Sequence, residues 1–436
     1  MRVSNQKIGN LNNYYKVIFF LFLSILTFKF LTYEHYPVHD EIISVTILSS
    51  IKTSFIKFVA NNHLLSTWLG NTIIYTFGLD LMKIRLISFI SFLLMLLVVQ
   101  ILFKNYAKTF LFLLICISID IIITYYSLYR GYAISSLLFC YIFLLVVDKK
   151  NYLRNLKKIY FILSILVFHN QSTLFLVIPI LIVVTYNLLK SQTESYFKRL
   201  KVPVFYFFTP FVILCITFSF IEGVYLSKIF IDFTKIQEQM QLIANNIVFI
   251  LYSGFNNIFF HDFTNLTLLN SFPSFISKVE KHYLLFTIFA IALLKSIYFI
   301  FINKNRNLTD YIILFFFIFF ILINRNGPVR IYTGFISFFI IYILRDFNFY
   351  NEKLKFNFII THIMIAFIFI RLASIEFVKI ENEKAQYLSF YNNMNDCSFP
   401  SQKNLLEFEK HLAYFVYLQK CKLKPDINRF YKFYKA

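Results

Sequence analysis

The feature that most constrains this chain is its succession of apolar runs without a charged residue, such as Leu86 to Phe103 and Tyr132 to Val147. The runs extend to roughly 17 to 22 residues, the length a helix needs to cross a ~30 Å hydrocarbon core. Soluble domains instead show apolar stripes at helical spacing. Composition agrees: of 436 residues, 58% are hydrophobic, 59 are Phe, and only 15% are charged. That is too little polar surface for a soluble protein of this size. The expected fold class is therefore all-α, a polytopic integral membrane protein.

The formal net charge is +21, yet no nucleic-acid partner is expected. The Lys and Arg residues fall in short segments between apolar runs, where they set topology and meet anionic lipid headgroups. The richest are Lys149, Lys150, Arg154, Lys157 and Lys158, then Lys190, Lys198, Arg199 and Lys201. Shorter ones hold Lys104 and Lys108, Lys304 and Arg306, and Arg345, Lys353 and Lys355. One threading puts all of them inside, with a cytoplasmic N-terminus and an extracytoplasmic C-terminus. It has about eleven spans within residues 1–375, near 17–33, 84–103, 109–126, 131–147, 158–169, 172–189, 203–221, 283–302, 309–324, 329–344 and 357–375.

The first run, Val17 to Leu31, is followed by no small-residue cleavage site and reads as a retained span. The fifth is short and is interrupted by His169-Asn170-Gln171. His63 to Phe77 is too short to cross, and counting it as a span would turn every later basic segment outward. It is expected as a helix at the membrane surface. Glu41 to Val59 reads the same way, with Ile42, Val45, Leu48, Ile51 and Phe55 on one stripe.

Three regions are then external: 34–83, 222–282 and a small helical tail, 376–436. In the tail, Ser401 is a candidate N-cap for a helix with Leu405, Phe408, Leu412, Phe415 and Leu418 on one face. Cys397 and Cys421 could pair across that helix, adding on the order of 3 kcal/mol. Cys116, Cys140 and Cys215 lie in apolar runs and are expected as packing residues.

Phosphate loops, metal-spaced Cys/His clusters and nucleophile elbows are missing from the sequence. What stands out is Asp40-Glu41 at the external end of the first span. Ionisable residues held near lipid tend to be functional, and two adjacent acids repel, which raises one pKa toward a value suited to proton abstraction. The competing reading is a helix N-cap with a first-turn acid in a solvated loop. Asp120, the notable acid within a span, is most simply a buried, hydrogen-bonded group.

Further residues bear on that choice. Asn61-Asn62-His63-Leu64 follows in the same loop, then Gly78, Lys83 and Arg85 open the second span, and Arg130-Gly131-Tyr132-Ala133 opens the fourth. In this order the chain resembles bacterial polyprenyl-phosphate-dependent glycosyltransferases of the GT-C fold, related to protein O-mannosyltransferases and aminoarabinose transferases. The likeness covers residues 15–150; later, Gly327-Pro328-Val329-Arg330 resembles the family's Arg before its last helices. His63-Leu64 departs from the His-Pro of many relatives, and 222–282 carries no family motif.

The resemblance implies an inverting enzyme of cell-envelope glycan biosynthesis in the bacterial inner membrane. Its donor would be a polyprenyl-phosphate sugar, and its acceptor a lipid, a glycan or a protein. Asp40 would be the catalytic base, and Glu41 would orient the acceptor or tune Asp40. Arg85, Arg130 and Arg330, with Lys83 as a weaker member, would meet the donor phosphate, for which the Arg fork is suited; each could also be a snorkelling interfacial residue. His63 would bind substrate. Some distant relatives use a divalent cation, but His39 beside two acids is not a convincing site, so no metal and no cofactor are assigned. His261-Asp262 is a weaker acidic candidate.

Two other classes fit a many-spanned chain. An O-antigen-type polymerase or ligase would carry Arg-rich external loops, whereas 222–282 holds no Arg. A transporter or lipid flippase would place charges near the midplane and break paired helices with Gly or Pro; glycines number only 8.

Overall fold

The computed structural model describes residues 2–32, 36–37, 41–42, 45, 63–148, 151–170, 173–190, 196–214, 282–303, 307–323, 330–346, 381–394 and 407–423. Among them every regular element is a helix. In chain order these are α1 (Arg2–Thr32), α2 (Leu64–Phe77), α3 (Leu81–Phe103), α4 (Tyr106–Ser118), α5 (Asp120–Ser127), α6 (Tyr132–Val147), α7 (Tyr152–His169) and α8 (Leu174–Lys190). They continue with α9 (Tyr196–Pro203), α10 (Tyr283–Ile297), α11 (Leu308–Ile323), α12 (Arg330–Thr333), α13 (Ile336–Arg345), α14 (Glu381–Asn393) and α15 (Glu407–Lys420).

Local chemistry sets the helix starts. The Asp80 carboxylate accepts from the backbone N–H of Met82 and Lys83 at the head of α3, and Asn105 does the same for Ala107 and Lys108 in α4. Helix α3 is apolar all round, yet only one side is covered. Phe89, Phe92, Met95, Leu96 and Val99 are buried, whereas Ile90, Leu94, Leu97 and Ile101 are exposed at three- and four-residue spacing. An uncovered apolar stripe of that length suits lipid rather than water.

Three stretches among the described residues are long and apolar enough to cross a membrane: Asn12–Thr32, Leu81–Phe103 and Tyr283–Ile302. A fourth is present if α4 and α5 count as one span bent by 92°. Tyr132–Val147, Leu176–Lys190, Leu308–Ile318 and Ile336–Arg345 are shorter apolar helices. The fold is thus compatible with a membrane protein. Residues 158–169 and 329–344, expected as spans, fall in α7 and in the interrupted pair α12–α13, which are not among the stretches long and apolar enough to cross. The span at 357–375, the second half of 203–221 and the loop 222–282 with His261-Asp262 lie outside the described residues.

Asp120 corrects an expectation. It is exposed, not buried, and it sits in the first turn of α5 just after the bend, where a carboxylate meets the positive end of the helix dipole.

The main core is aromatic. Phe289 of α10 packs edge-on to Phe339 of α13 at 4.9 Å, and Phe339 meets Phe316 of α11 at 4.8 Å. Phe30 of α1 stacks on Phe89 of α3 at 4.1 Å. Cys116 and Cys140 are buried and free, as expected of packing residues.

Helix α3 spans roughly 34 Å at 1.5 Å per residue, and basic residues gather beyond its far end. Lys108 Nζ donates to the Arg345 carbonyl at 2.8 Å, Lys295 pairs with Asp346 at 3.0 Å, and Arg345 donates to Thr309 Oγ1 at 2.6 Å. Partial burial pushes the Asp346 carboxyl up, but Arg345 and Lys295 outweigh it and hold that group below the usual carboxylate range.

At the near end of α3 a second core forms. Leu412, Phe415 and Leu418 of α15 are buried with Ile42, Val45, Ile74 and Ile84. Tyr387 of α14 meets Tyr36 edge-on at 5.8 Å. The tail stripe read from the sequence therefore packs against residues that follow α1 and flank α2 and α3. Ile42 and Val45 are fully buried in this core. Cys421 is disulfide-bonded; Cys397 and Ser401 lie outside the described residues. Replacing Phe415 by Ala is expected to destabilise the chain by about 3 to 5 kcal/mol, read as a lower thermal midpoint in detergent. Asn392→Ala, at an exposed position of α14, should change stability by less than about 0.5 kcal/mol. Wild-type melting of Phe415→Ala would show that the tail is not docked.

Candidate functional site

Arg85 lies in the second turn of α3 with its side chain fully buried. A guanidinium taken from solvent needs a fixed anion and hydrogen-bond acceptors around it. Glu41, also fully buried, provides the anion. Arg85 Nε donates to Glu41 Oε1 at 2.9 Å and Nη2 to Oε2 at 2.5 Å, a forked pair, and Nη2 also donates to the Tyr36 carbonyl at 2.7 Å. Glu41 Oε1 accepts a further bond from the Tyr129 backbone N–H at 2.8 Å. One buried ion pair thus ties together the first loop, the head of α3 and the turn between α5 and α6.

That turn, Leu128 to Gly131, is held from several sides. The Tyr129 hydroxyl donates to the Thr67 carbonyl in α2 at 2.9 Å. Its ring lies directly over Gly70, where any added Cβ would collide with the ring and hydroxyl. Gly131 has φ +66°, a conformation that favours glycine, and a Cβ there would lie 2.6 Å from both His169 Cε1 and Ser66 Oγ. His169, fully buried at the end of α7, contacts the Gly131 carbonyl through Nε2 at 3.0 Å. Its Nδ1 accepts from the Leu65 backbone N–H at 3.3 Å. Arg130, buried, sits between these two anchored neighbours.

His63 caps the start of α2. Its carbonyl accepts from Thr67 N and Ser66 Oγ, and its buried ring stands edge-on to Tyr132 at 4.4 Å and 5.7 Å from His169. Tyr126 and Ser136 reach across to the carbonyls of Thr333 and Gly334, at 3.3, 2.9 and 3.1 Å, satisfying the backbone exposed where α12 breaks from α13. The backbone turn that begins at Arg330 is thereby docked against the end of α5, just before the turn that carries Arg130.

The structure thus gathers Glu41, Arg85, Arg130 and His63 at one end of the bundle. It gives two of them other surroundings than expected. Arg85, read as a phosphate ligand, has Nε and Nη2 engaged by Glu41 and Tyr36, and Glu41, read as orienting an acceptor, has both oxygens in that same cluster. The reason is burial: two opposite charges out of water hold each other before any ligand arrives. Lys83 faces away, half exposed, and pairs with Asp80 at 3.4 Å. Asp40, His39 and the side chain of Arg330 lie outside the described residues. Among the described residues no group of three or more His, Cys, Asp or Glu side chains could hold a metal ion.

Sequence reasoning missed Tyr129 and His169. Tyr129 acts through a backbone N–H, which leaves no residue-type signature. His169 carries one, as an ionisable residue closing an apolar run, although in sequence it stands out only as a break. Family models, curated proteins and solved structures compared with this chain give no match.

The pair itself can be tested through stability. Arg85→Leu leaves Glu41 buried without its cation and should cost about 3 to 5 kcal/mol, whereas Arg85→Leu combined with Glu41→Leu should recover most of that loss. Both are read by thermal unfolding. A double variant destabilised by the sum of the losses of Arg85→Leu and Glu41→Leu would mean that the two charges are not coupled.

Proposed function

We propose that this chain is an integral membrane glycosyltransferase. It transfers a sugar from a polyprenyl-phosphate donor to a lipid, glycan or protein acceptor on the extracytoplasmic face of a bacterial inner membrane. The observation that carries this reading is the Glu41–Arg85 pair with its third bond to Tyr129 N–H. It fixes the residue that follows Asp40 and, through the same carboxylate, the residue that precedes Arg130. A base and a phosphate-binding cation must be held at a set separation to act on one donor. A shared anchor for their two neighbours provides that constraint.

In this reading Asp40 takes the acceptor proton as the acceptor oxygen attacks the anomeric carbon, with inversion. The phosphate leaves with the C–O bond electrons. Arg130 and Arg330 stabilise that charge, in surroundings where fixed donors act more strongly than in water. Glu41 and Arg85 position these groups rather than react, and His63 lines the substrate side.

The eleven-span threading belongs to the same proposal. The tail and the first loop share one core. In a membrane this requires an even number of crossings between Leu81 and Glu381, and the threading has ten. The basic cluster of Lys108, Lys295 and Arg345 then marks the cytoplasmic side.

Asp40→Asn should lower transfer from a lipid-linked sugar by about 10²-fold or more, measured with purified protein in proteoliposomes, while thermal stability stays near wild type. Full transfer by that variant would overturn the assignment of the base, and with it the leading reason for calling the chain an enzyme.

A further inference from the structure

We propose that His169 is a positioning residue: a neutral imidazole that clips the start of α2 to the turn bearing Arg130, and so sets where that guanidinium meets the donor. The clip stands on geometry alone; its consequence for the donor rests on the function proposed above. Two hydrogen bonds define it. A carbonyl oxygen can only accept, so the contact at 3.0 Å makes Nε2 the N–H that donates to Gly131. A backbone N–H can only donate, so Nδ1, at 3.3 Å from Leu65 N, is the bare acceptor. Together the partners select one tautomer of the neutral ring, and a second proton on Nδ1 would oppose the Leu65 N–H.

The fit is tight as well as polar. Gly131 admits the ring only because it lacks a Cβ, which would sit 2.6 Å from Cε1 and 2.7 Å from Nε2. On the other side of Arg130, Glu41 Oε1 holds the Tyr129 N–H at 2.8 Å. Arg130 is therefore suspended between two fixed peptides, one held by an anion and the other by a neutral ring. A charged lysine or arginine in the place of His169 would compete with Arg130 for the same phosphate. A neutral donor–acceptor fixes the backbone without doing so.

The test uses the full chain in nanodiscs. Selective ¹⁵N labelling of histidine should show His169 as the Nε2–H tautomer at neutral pH; the Nδ1–H tautomer or an imidazolium would overturn the clip in the unmodified protein, whatever its activity. His169→Leu removes both bonds. It should speed amide hydrogen exchange at Leu65 and across 129–133 about tenfold, with the α3 peptides unchanged. Unaltered exchange at those positions would also overturn the clip. Given transfer by the wild type, His169→Leu should raise the KM for the lipid-linked sugar about tenfold more than it lowers kcat. His169→Gln, which restores an N–H near the Gly131 carbonyl, should bring KM most of the way back. A loss confined to kcat, or no rescue by Gln, would refute the role in donor placement. Absence of any transfer by the wild type would count against the proposed function and leave the exchange and tautomer results to decide the clip.

Discussion

The arrangement at the Arg85 end of this bundle depends on one buried ion pair. Taking Glu41 and Arg85 out of water is costly, and the cost is offset only when fork geometry and extra hydrogen bonds satisfy both groups. Here the extra bonds come from the Tyr36 carbonyl and the Tyr129 N–H. They extend the pair from a contact between two residues into a joint among three chain segments. A pure hydrocarbon contact would have joined them too, but without direction. The charged joint sets orientation, which is what a reacting constellation requires.

Around this joint the fold places two further layers. Inward, the turn after α5 is fixed by small-residue contacts: Gly70 under the Tyr129 ring and Gly131 under His169. Outward, the tail helices share a core with Ile42 and Val45, and Tyr36 belongs both to the joint and to this outer layer. Its carbonyl takes a bond from Arg85 while its ring packs on Tyr387. Tyr387 in turn donates to Gln419 at 2.7 Å, linking α14 to α15. Displacement of the tail would therefore be felt at the buried pair, through Tyr36 and through Ile42 and Ile84, the neighbours of Glu41 and Arg85 in the shared core. The far end of the bundle uses a different chemistry: Lys295 and Lys108 donate to the helix carbonyls of Tyr342 and Arg345, and Lys295 and Arg345 pair with Asp346.

How far the sequence revealed this follows from the range of each interaction. Helices such as α3 and α6 were legible because a charge-free run is a local property. The tail stripe Leu412, Phe415 and Leu418 is legible as one face of a helix, but its partners Ile42, Val45 and Ile74 lie more than 330 positions away in the chain and leave no periodic trace. In sequence Asp40-Glu41 stands out as an acidic pair and Arg85 as a cation expected on the same side. That Glu41 and Arg85 would pair with each other was not readable, because the choice between pairing and binding a ligand depends on burial. Asp120 was misjudged for the same reason: position in an apolar run says nothing of which side of a bent helix a residue faces. The resemblance to GT-C enzymes rests on the order of short motifs in the sequence alone.

The most direct test is a structure of the chain in nanodiscs with a polyprenyl phosphate bound. The expected result is a phosphate between Arg130 and Arg330, with N···O distances of about 2.7 to 2.9 Å, the Asp40 carboxylate facing the same cleft, and Glu41 still on Arg85. A phosphate seated instead among Lys108, Lys295 and Arg345, or Asp40 turned away from the bound lipid, would contradict it.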